Sequence, residues 1–362
     1  TVKGDYQLAA DYADLSLASL AKQNQDRFSS SYNPDIIDTE NYGLENCDMI
    51  ENDFTGAYQS TAPLLEAQEY IFTNKNSIES IFELQYSSGE QENSAVNHLY
   101  GYSTGSHLEV SQDALGVCYG GWGNAKYDSR MWVGAQNLVT TSSSSSSTAL
   151  SGYYCVKWQR PNIFWTGQQT SREIKNVQIS TNKWCNWIIY RMTDVMLMKA
   201  EALACIGGAA NNTLAKNIVN AIHRRSFCNY NESKPVSPDL TSGSTNGNAT
   251  NNSDIVVMVL NERQIELLGE GKRWFDLVRY AERNSDSASE AADEREATEE
   301  KHVGNGQKGM IKMVDTFLRN AYSNYYTTLK NRFKNRYGLY SPIYYMDVKA
   351  SDGKLHQNPV WN

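Results

Sequence analysis

The chain has 362 residues, of which 40% are apolar and 20% charged, so its length allows one large domain or two ordinary ones around a substantial core. No apolar run approaches the roughly 18 residues of a membrane-spanning helix, and 41 acidic against 33 basic residues give a net charge of -8, which argues against nucleic acid or anionic lipid as a partner. The 23 Tyr and 8 Trp suit contact surfaces as well as cores, which favours a binding role.

The first 86 residues contain two predicted helices and one predicted strand. Apolar residues at near-helical spacing, with small residues between them, predict a helix over residues 4–21 that needs a partner helix against it. Residues 63–72 predict a short helix with proline in its first turn. Residues 80–86 alternate apolar and polar side chains, which predicts a strand.

The following region, 87–186, is poor in periodicity and rich in Gly, Ser, Trp and Tyr. It includes a serine run at 142–147 that is typical of a solvated loop. Long irregular segments often carry function. We therefore expect the ligand-binding face of the protein in this region.

Residues 187–284 are more regular and predict packed helices. Residues 187–205 are apolar almost all round, which indicates a buried helix terminated by the glycine pair 207–208. An apolar stripe from Leu214 to Ile222 predicts a second helix that folds back on the first as an antiparallel hairpin. The remaining predicted elements are a helix from Ser253 or Asp254 to Gly269, a helix over 272–281, an acidic insertion at 285–309, a Tyr-rich helix near 310–337 and a short strand near 343–348.

Neither the cysteines nor the acidic residues indicate a metal site or a catalytic site. The six cysteines form no Cys-x-x-Cys pair and have no histidine at metal-ligand spacing, so we expect neither a metal site nor a cofactor, and the sequence leaves their redox state open. Paired carboxylates can hydrolyse glycosides. The acids at helical spacing in the later helices are Asp194, Glu201, Glu262 and Glu266. Because Arg191, Arg263 and Arg273 offer them partners, we expect a structural ion-pair network around a buried Trp274 instead.

Two further motifs do not predict catalysis. Residues 101–105 match the Gly-x-Ser-x-Gly pattern of hydrolase nucleophiles, but no convincing buried strand precedes them, so a chance match is the better interpretation. Residues 304–309 lack the Lys-Ser/Thr ending of a phosphate loop and indicate a flexible turn. We therefore predict that the protein is not an enzyme.

Segment 118–132 combines glycines, aromatic rings and polar groups in the way a sugar site requires. Its glycines leave the indole of Trp122 uncrowded, flat rings can cover the C–H face of a pyranose, and polar side chains can bind its hydroxyls. The predicted ligand contacts are Tyr119, Trp122, Asn124, Asp128, Arg130 and Trp132. The alternative is a loop whose aromatic residues fill the helical core. Trp158 and Trp165 are secondary ligand candidates, for which core packing is the favoured interpretation.

Three segments carry a family resemblance. Residues 190–202 read Tyr-Arg-Met-Thr-Asp-Val-Met-Leu-Met-Lys-Ala-Glu-Ala, and residues 261–277 read Asn-Glu-Arg-Gln-Ile-Glu-Leu-Leu-Gly-Glu-Gly-Lys-Arg-Trp-Phe-Asp-Leu. Residues 357–359 read Gln-Asn-Pro, although Val360 and Trp361 depart from the Gly-Tyr that would follow. In order and spacing these segments resemble the signatures of the SusD/RagB family of outer-membrane nutrient-binding lipoproteins.

The resemblance implies a mainly α fold of tetratricopeptide-like helix pairs with a large irregular ligand-binding face, as one domain over 1–362. Within it, 1–22 would be a partial tetratricopeptide-like helix, 87–186 the irregular ligand-binding region, 187–284 the signature helices and 285–309 an acidic insertion. The implied function is capture of oligosaccharide or polysaccharide at the outward face of the outer membrane and its transfer to a SusC-like TonB-dependent transporter.

The resemblance also implies an N-terminal lipid anchor, which is absent from this chain. Its first residue is Thr1 with no charged-then-apolar leader, so we expect a processed chain or one cut from something longer. Three alternatives to glycan capture stay open: peptide binding as in the RagB branch, cleavage of the same glycans, and a tetratricopeptide adaptor for protein partners.

Overall fold

The computed structural model describes residues 4–28, 44, 71–72, 75–100, 108–110, 130, 139–141, 147–149, 154–155, 157–158, 160–166, 173–180, 184–226, 240, 255–283, 323–333, 340–358 and 361. The chain divides into two compact units, one of Asp5–Lys272 and one of Arg273–Asn362 with Thr1–Gly4. The single domain expected over 1–362 stays a prediction.

Helices form the core of the larger unit. In chain order they are α1 (Tyr6–Phe28), α2 (Ser94–Tyr100), α3 (Met192–Ile206), α4 (Ala209–Ser226) and α5 (Ile255–Glu266). The four longer helices α1, α3, α4 and α5 bury their apolar faces in one common core, in which α1 and α4 both pack against α3. The predicted mainly α architecture of paired helices is confirmed.

A pair of glycines turns the chain between α3 and α4. Gly207 has φ +77° and Gly208 has φ +86°, backbone conformations that glycine adopts without strain. The Gly207 N–H donates to the Leu203 carbonyl at 3.0 Å, which satisfies one of the free carbonyls at the end of α3. The predicted helical hairpin is therefore present, with its turn at Gly207 and Gly208.

The predicted helix over 187–205 begins five residues late. Strand β6 (Trp187–Arg191) pairs antiparallel with β1 (Ser80–Leu84), and α3 starts only at Met192. Trp187 to Tyr190 are β-branched or aromatic, and they favour a strand when a partner strand is available. The Met192 N–H donates to the Glu79 carbonyl at 2.7 Å, so the junction between strand and helix is also tied to β1.

The predicted strand near 80 is confirmed, with a polar side facing inward. Phe82 is 53% exposed, whereas Glu83 is buried. The carboxylate of Glu83 accepts hydrogen bonds from the Asn76 backbone N–H at 3.1 Å and from Asn186 Nδ2 at 2.7 Å. These bonds offset the loss of solvation that burial of the carboxylate entails.

The region predicted to be irregular contains regular elements besides α2. The strands β2 (Val139–Thr141) and β3 (Ser147–Ala149) form one hairpin, and β4 (Arg160–Thr166) and β5 (Glu173–Ser180) form another. Ser147, the last residue of the predicted serine loop, pairs with Thr141 and so belongs to a strand.

The smaller unit contains α6 (Arg273–Arg283), α7 (Tyr326–Phe333) and α8 (Tyr345–Ala350). The strand predicted near 343–348 is wrong, because α8 occupies most of that range. Gln357 holds the backbone just before α8, accepting from the Ile343 N–H at 2.9 Å and donating to its carbonyl at 2.7 Å. The acidic insertion at 285–309 lies outside the described residues.

Trp274 is only half-buried, so the prediction that it is buried is wrong. The buried side of α6 is formed by Asp276, Leu277 and Tyr280. Because the helix has 3.6 residues per turn, Phe275 does not lie on this buried side, and its side chain is exposed.

Candidate functional site

A row of buried carboxylates runs along α5 and the turn after it. Glu262 and Glu266 are four residues apart on one side of α5, and Glu270 follows four residues later in the turn after the helix. Counted over the whole residue, backbone included, they are 1%, 2% and 8% exposed. A buried carboxylate needs cations or hydrogen-bond donors around it, so this row requires a matching set of basic side chains.

Two arginines, one from β6 and one from α4, supply part of that set. Arg191, the last residue of β6, holds Glu270 with two hydrogen bonds of 2.8 Å and places Nη1 2.7 Å from Glu266 Oε1. Arg225, in the last turn of α4, lies 2.6 Å from Glu266 Oε1 and 2.6 Å from Glu79 Oε1. Glu79, directly before β1, thereby joins the same group of charges.

Two further cations come from residues 87–186, which we call the middle region. Arg130 Nη1 lies 2.6 Å from Glu262 Oε1 and 3.2 Å from Glu266 Oε2. Lys157 Nζ lies 3.0 Å from Glu270 Oε1 and donates to the Glu266 carbonyl at 2.7 Å. We refer to the following residues as the buried charge cluster: Glu79, Glu262, Glu266, Glu270, Arg130, Lys157, Arg191 and Arg225.

Three carboxylates of the cluster, those of Glu262, Glu266 and Glu270, have a lowered pKa. Burial by itself raises the pKa of Glu266, but Arg225, Arg191 and the two cations of the middle region outweigh it and hold that pKa well below its ordinary value. Burial likewise opposes ionisation of Glu262 and Glu270, and their basic neighbours again leave each pKa below its ordinary value. These groups act as fixed negative charges at neutral pH.

A second ion-pair group joins the same two signature segments. Asp194, in the first turn of α3, lies 2.9 Å from Arg263 Nη2 and 3.1 Å from Lys272 Nζ. Burial raises the pKa of Asp194, and the two cations reverse this effect and lower it overall. Lys272 Nζ also donates to the Ile189 carbonyl at 2.7 Å. The predicted structural network of acids and arginines is confirmed for Asp194, Glu262 and Glu266, which lie on α3 and α5.

This arrangement does not fit the glycosidase alternative for these three acids. A general acid of a glycosidase needs a raised pKa so that it carries a proton to donate. Asp194, Glu262 and Glu266 have lowered pKa values and are buried in ion pairs. They therefore hold elements of the fold together.

Two of the predicted ligand residues lie in the interior. Arg130 is 0% exposed and its guanidinium is bound to glutamates, so the expectation that it contacts a sugar is wrong. Trp158 is also 0% exposed and stacks on Trp187 with ring centroids 4.9 Å apart, so its favoured interpretation as a core residue is confirmed. Phe72 and Tyr100 pack around the same indole.

The other predicted ligand contacts, Tyr119, Trp122, Asn124, Asp128 and Trp132, lie outside the described residues, as does the Gly-x-Ser-x-Gly segment at 101–105. Trp165 lies in β4, opposite Ile174 of β5.

Sequence reasoning missed half of the buried charge cluster. The residues that it missed are Glu79, Glu270, Lys157 and Arg225. Glu270 continues the four-residue spacing of Glu262 and Glu266, so that spacing was an available signal. Lys157 had none, because it stands in a segment without periodicity, and only the fold shows that it reaches α5.

Comparison with known proteins extends these observations. The sequence model of the SusD family matches residues 78–361. SusD-like protein P38 from Formosa agariphila is 36% identical over 94 residues, which cover 26% of this chain and 17% of that protein. A SusD superfamily structure from Bacteroides thetaiotaomicron is 16% identical, with a TM-score of 0.46 over 100% of this chain and 55% of the other. Surface glycan-binding protein A from the same species is 18% identical, with a TM-score of 0.36 over 80% and 54% of the two chains.

The fold and the cluster define a helix-pair scaffold whose motif segments are held together by buried ion pairs. The family match spans both of those segments and most of the chain, and the chain belongs to the SusD family. It spans about half the length, or less, of the relatives compared above. Among the described helices, none is long and apolar enough to cross a membrane.

Proposed function

We propose that the protein captures oligosaccharide at the cell surface. The observation that carries this proposal is the SusD family match over residues 78–361, which includes the whole middle region in which the sugar-binding pattern lies. Surface glycan-binding protein A, one of the structures compared above, bears glycan binding in its name. A composition rich in Tyr and Trp agrees with this role.

We place the sugar contacts on segment 118–132. Trp122 and Trp132 would stack on the pyranose faces, Tyr119 would extend that aromatic surface, and Asn124 and Asp128 would bind hydroxyl groups. Trp165 remains a secondary candidate. Arg130 is removed from this set because it lies in the buried charge cluster.

The proposal includes delivery of the bound glycan to a SusC-like TonB-dependent transporter in the outer membrane, with the protein held at the outward face by a lipid anchor. We also propose that the protein does not cleave the bound glycan. Capture and release need no bond cleavage, and three of the acids that could suggest hydrolysis, Asp194, Glu262 and Glu266, are bound in buried ion pairs.

Glycan-array screening of the purified chain, followed by calorimetric titration with the best oligosaccharide, tests the proposal. Trp132→Ala should weaken binding by about 1 to 3 kcal/mol, the range of an interface hot spot. Trp184→Ala is the matched control, because Trp184 is an exposed tryptophan outside the segment and its removal should leave affinity unchanged. Binding of peptides and of no saccharide would favour the RagB-like alternative, and release of reducing ends from a polysaccharide would favour an enzyme.

A further inference from the structure

Gln357 and Asn358, from the third signature segment, fix the chain directly before α8. Gln357 holds the backbone of Ile343 at both polar groups, accepting from its N–H at 2.9 Å and donating to its carbonyl at 2.7 Å. Asn358 Nδ2 donates to the Tyr340 carbonyl at 3.2 Å, and Trp361 Nε1 donates to the same carbonyl at 2.8 Å. The backbone that leads into α8 is therefore held by side chains that follow the helix.

Exposed aromatic rings belong to the segment that these bonds hold. We refer to residues 340–358 as the tyrosine segment, in which Tyr340, Tyr344 and Tyr345 are 41%, 62% and 67% exposed. The rings of Tyr344 and Tyr345 lie edge to face, with centroids 5.1 Å apart and planes at 64°. Every residue of α8 is at least partly exposed. A group of exposed aromatic side chains on a fixed backbone is typical of a binding surface.

Polar side chains follow the two rings at helical spacing. Asp347 is three residues after Tyr344, and its N–H donates to the Tyr344 carbonyl at 2.9 Å. Lys349 is four residues after Tyr345. Residues at these spacings are neighbours on one side of a helix, and both polar side chains are exposed. They can therefore exchange hydrogen bonds with a ligand that lies against the rings.

This combination suits an uncharged saccharide better than a protein partner. The core of a protein–protein interface is depleted in charged residues, whereas here a carboxylate and an ammonium group stand beside the rings. A pyranose offers C–H groups to an aromatic ring and hydroxyls to the polar groups at its edge. The charges of the tyrosine segment cancel, because two aspartates are matched by two lysines, although the whole chain carries a net charge of -8. A neutral ligand is therefore favoured over a charged one.

We propose that the tyrosine segment is a saccharide-binding surface separate from segment 118–132. Tyr344 and Tyr345 stack on the pyranose rings of an uncharged oligosaccharide. Asp347 and Lys349 bind its hydroxyl groups. Because the segment is held in place before the ligand arrives, binding does not have to order it. This inference rests on the proposed function, since it requires that the protein binds glycans.

Two double substitutions in the full chain test this surface. Tyr344→Ala with Tyr345→Ala removes both rings. Tyr12→Ala with Tyr325→Ala is the matched control, because these tyrosines are 61% and 68% exposed and lie outside the tyrosine segment. All four rings are exposed, so both variants should keep a melting temperature near that of the wild type. The probes for calorimetric titration are maltohexaose, cellohexaose, xylohexaose and mannohexaose, together with the best oligosaccharide from the glycan array.

Both pairs are introduced into the Trp132→Ala variant, which lacks one ring of the site proposed in segment 118–132. Saccharide binding should persist in Trp132→Ala, weaken about tenfold or more when Tyr344 and Tyr345 are also replaced, and stay unchanged in the control. Equal affinity in the two combined variants, or complete loss of binding in Trp132→Ala alone, would overturn the inference and leave the proposed function standing. If the wild type binds no saccharide, the proposed function fails, and this inference fails with it.

Two further measurements locate the contact. Tyr344→Phe with Tyr345→Phe keeps both rings, so most of the affinity should remain, and an affinity as low as that of the alanine pair would contradict stacking. Hydrogen exchange of peptides covering 340–358 should slow when saccharide binds to Trp132→Ala. Unchanged exchange of these peptides, in a variant that still binds the sugar, would place the ligand elsewhere and overturn the inference.

Discussion

Arg191 and Glu270 form a two-pronged ion pair in the protein interior, with Nε to Oε2 and Nη2 to Oε1 both at 2.8 Å and both side chains 2% exposed. Arg191 belongs to the first signature segment and Glu270 to the second, so one contact links two of the three motifs on which the family resemblance depends. These two motifs therefore contact each other in the fold and stabilise each other's position.

Removal of Arg191 should destabilise the protein severely. Arg191→Met leaves Glu270 and Glu266 buried with one cation fewer, and breaking a buried ion pair from one side costs about 3 to 5 kcal/mol. Urea unfolding followed by circular dichroism measures the change. Gln7→Ala is the control, because Gln7 Nε2 donates to Asp11 at 2.9 Å on the exposed side of α1, and such pairs are worth about 0.5 kcal/mol or less. Equal effects of the two substitutions would contradict the structural role of the cluster.

The lowered pKa values of the buried acids predict a loss of stability in acid. The folded protein binds fewer protons than the unfolded chain wherever a carboxylate has a lower pKa in the fold, as Glu262, Glu266 and Glu270 do. Their contribution is therefore complete above the ordinary pKa of Glu and is lost as the pH falls through and below it. The free energy of unfolding should be level near neutral pH and decline below about pH 5.

An internal control checks the source of that decline. The variant Arg130→Met with Glu262→Gln has one titrating acid fewer in the cluster, so its stability should fall less steeply with pH than that of the wild type. Parallel curves for the two proteins would show that Glu262 is not among the acids responsible.

The sequence predicted the helices better than the contacts between them. The hairpin of α3 and α4 was evident because Gly207 and Gly208 interrupt two apolar patterns, and both signals are local. The first residues of the predicted helix at 187–205 were assigned wrongly because β6 depends on a partner strand more than 100 residues earlier in the chain. Propensity within a short window cannot register such a partner.

The sequence separation between interacting residues also explains why the ion pairs of Arg130 were not predicted. Arg130 stands among aromatic and polar residues, and that local setting favoured a ligand contact. Its partners Glu262 and Glu266 are 132 and 136 residues away, so its burial could be recognised only in the fold. The ion pair of Asp194 with Arg263 also spans 69 residues, but both residues belong to signature segments, so the sequence alone presented both charges and a structural network between them could be predicted.

Substitution of Gly269 by alanine should lower the stability of the protein for two reasons that can be measured separately. It has φ +80°, and a Cβ atom there would lie 2.6 Å from Cys155 Sγ. Gly271 has φ +73° with open space around the same position, so Gly271→Ala measures the backbone strain alone, about 1 to 2 kcal/mol. Gly269→Ala should cost about 1 to 3 kcal/mol more through overpacking, as determined by thermal unfolding.

Combination with a second substitution identifies the clash. Cys155→Ala removes the sulfur that the new methyl group would meet, so Gly269→Ala should be less destabilising in that background than in the wild type. Additive effects of the two changes would mean that Cys155 is not the obstacle.

Glycan binding should be independent of metal ions. The predicted contacts are aromatic rings and polar side chains, which supply the recognition themselves, and we expect no metal or cofactor in the protein. Calorimetric titration of the oligosaccharide should give the same affinity in the presence and absence of a chelator such as EDTA. Loss of binding in the chelator, restored by added calcium, would require a metal in the site.

Substitution of two tryptophans should distinguish a core residue from a residue of the ligand surface. Trp158 is 0% exposed and stacks on Trp187, so Trp158→Ala should cost about 3 to 5 kcal/mol through lost packing and a cavity. Trp132, which we place in the sugar site, should behave in the opposite way, with Trp132→Ala nearly unchanged in melting temperature and weaker in glycan binding. Calorimetry of unfolding and of binding measures both properties for each variant. If Trp132→Ala unfolds the protein, or leaves the affinity for a confirmed ligand intact, Trp132 belongs to the core and the aromatic segment is not the sugar site.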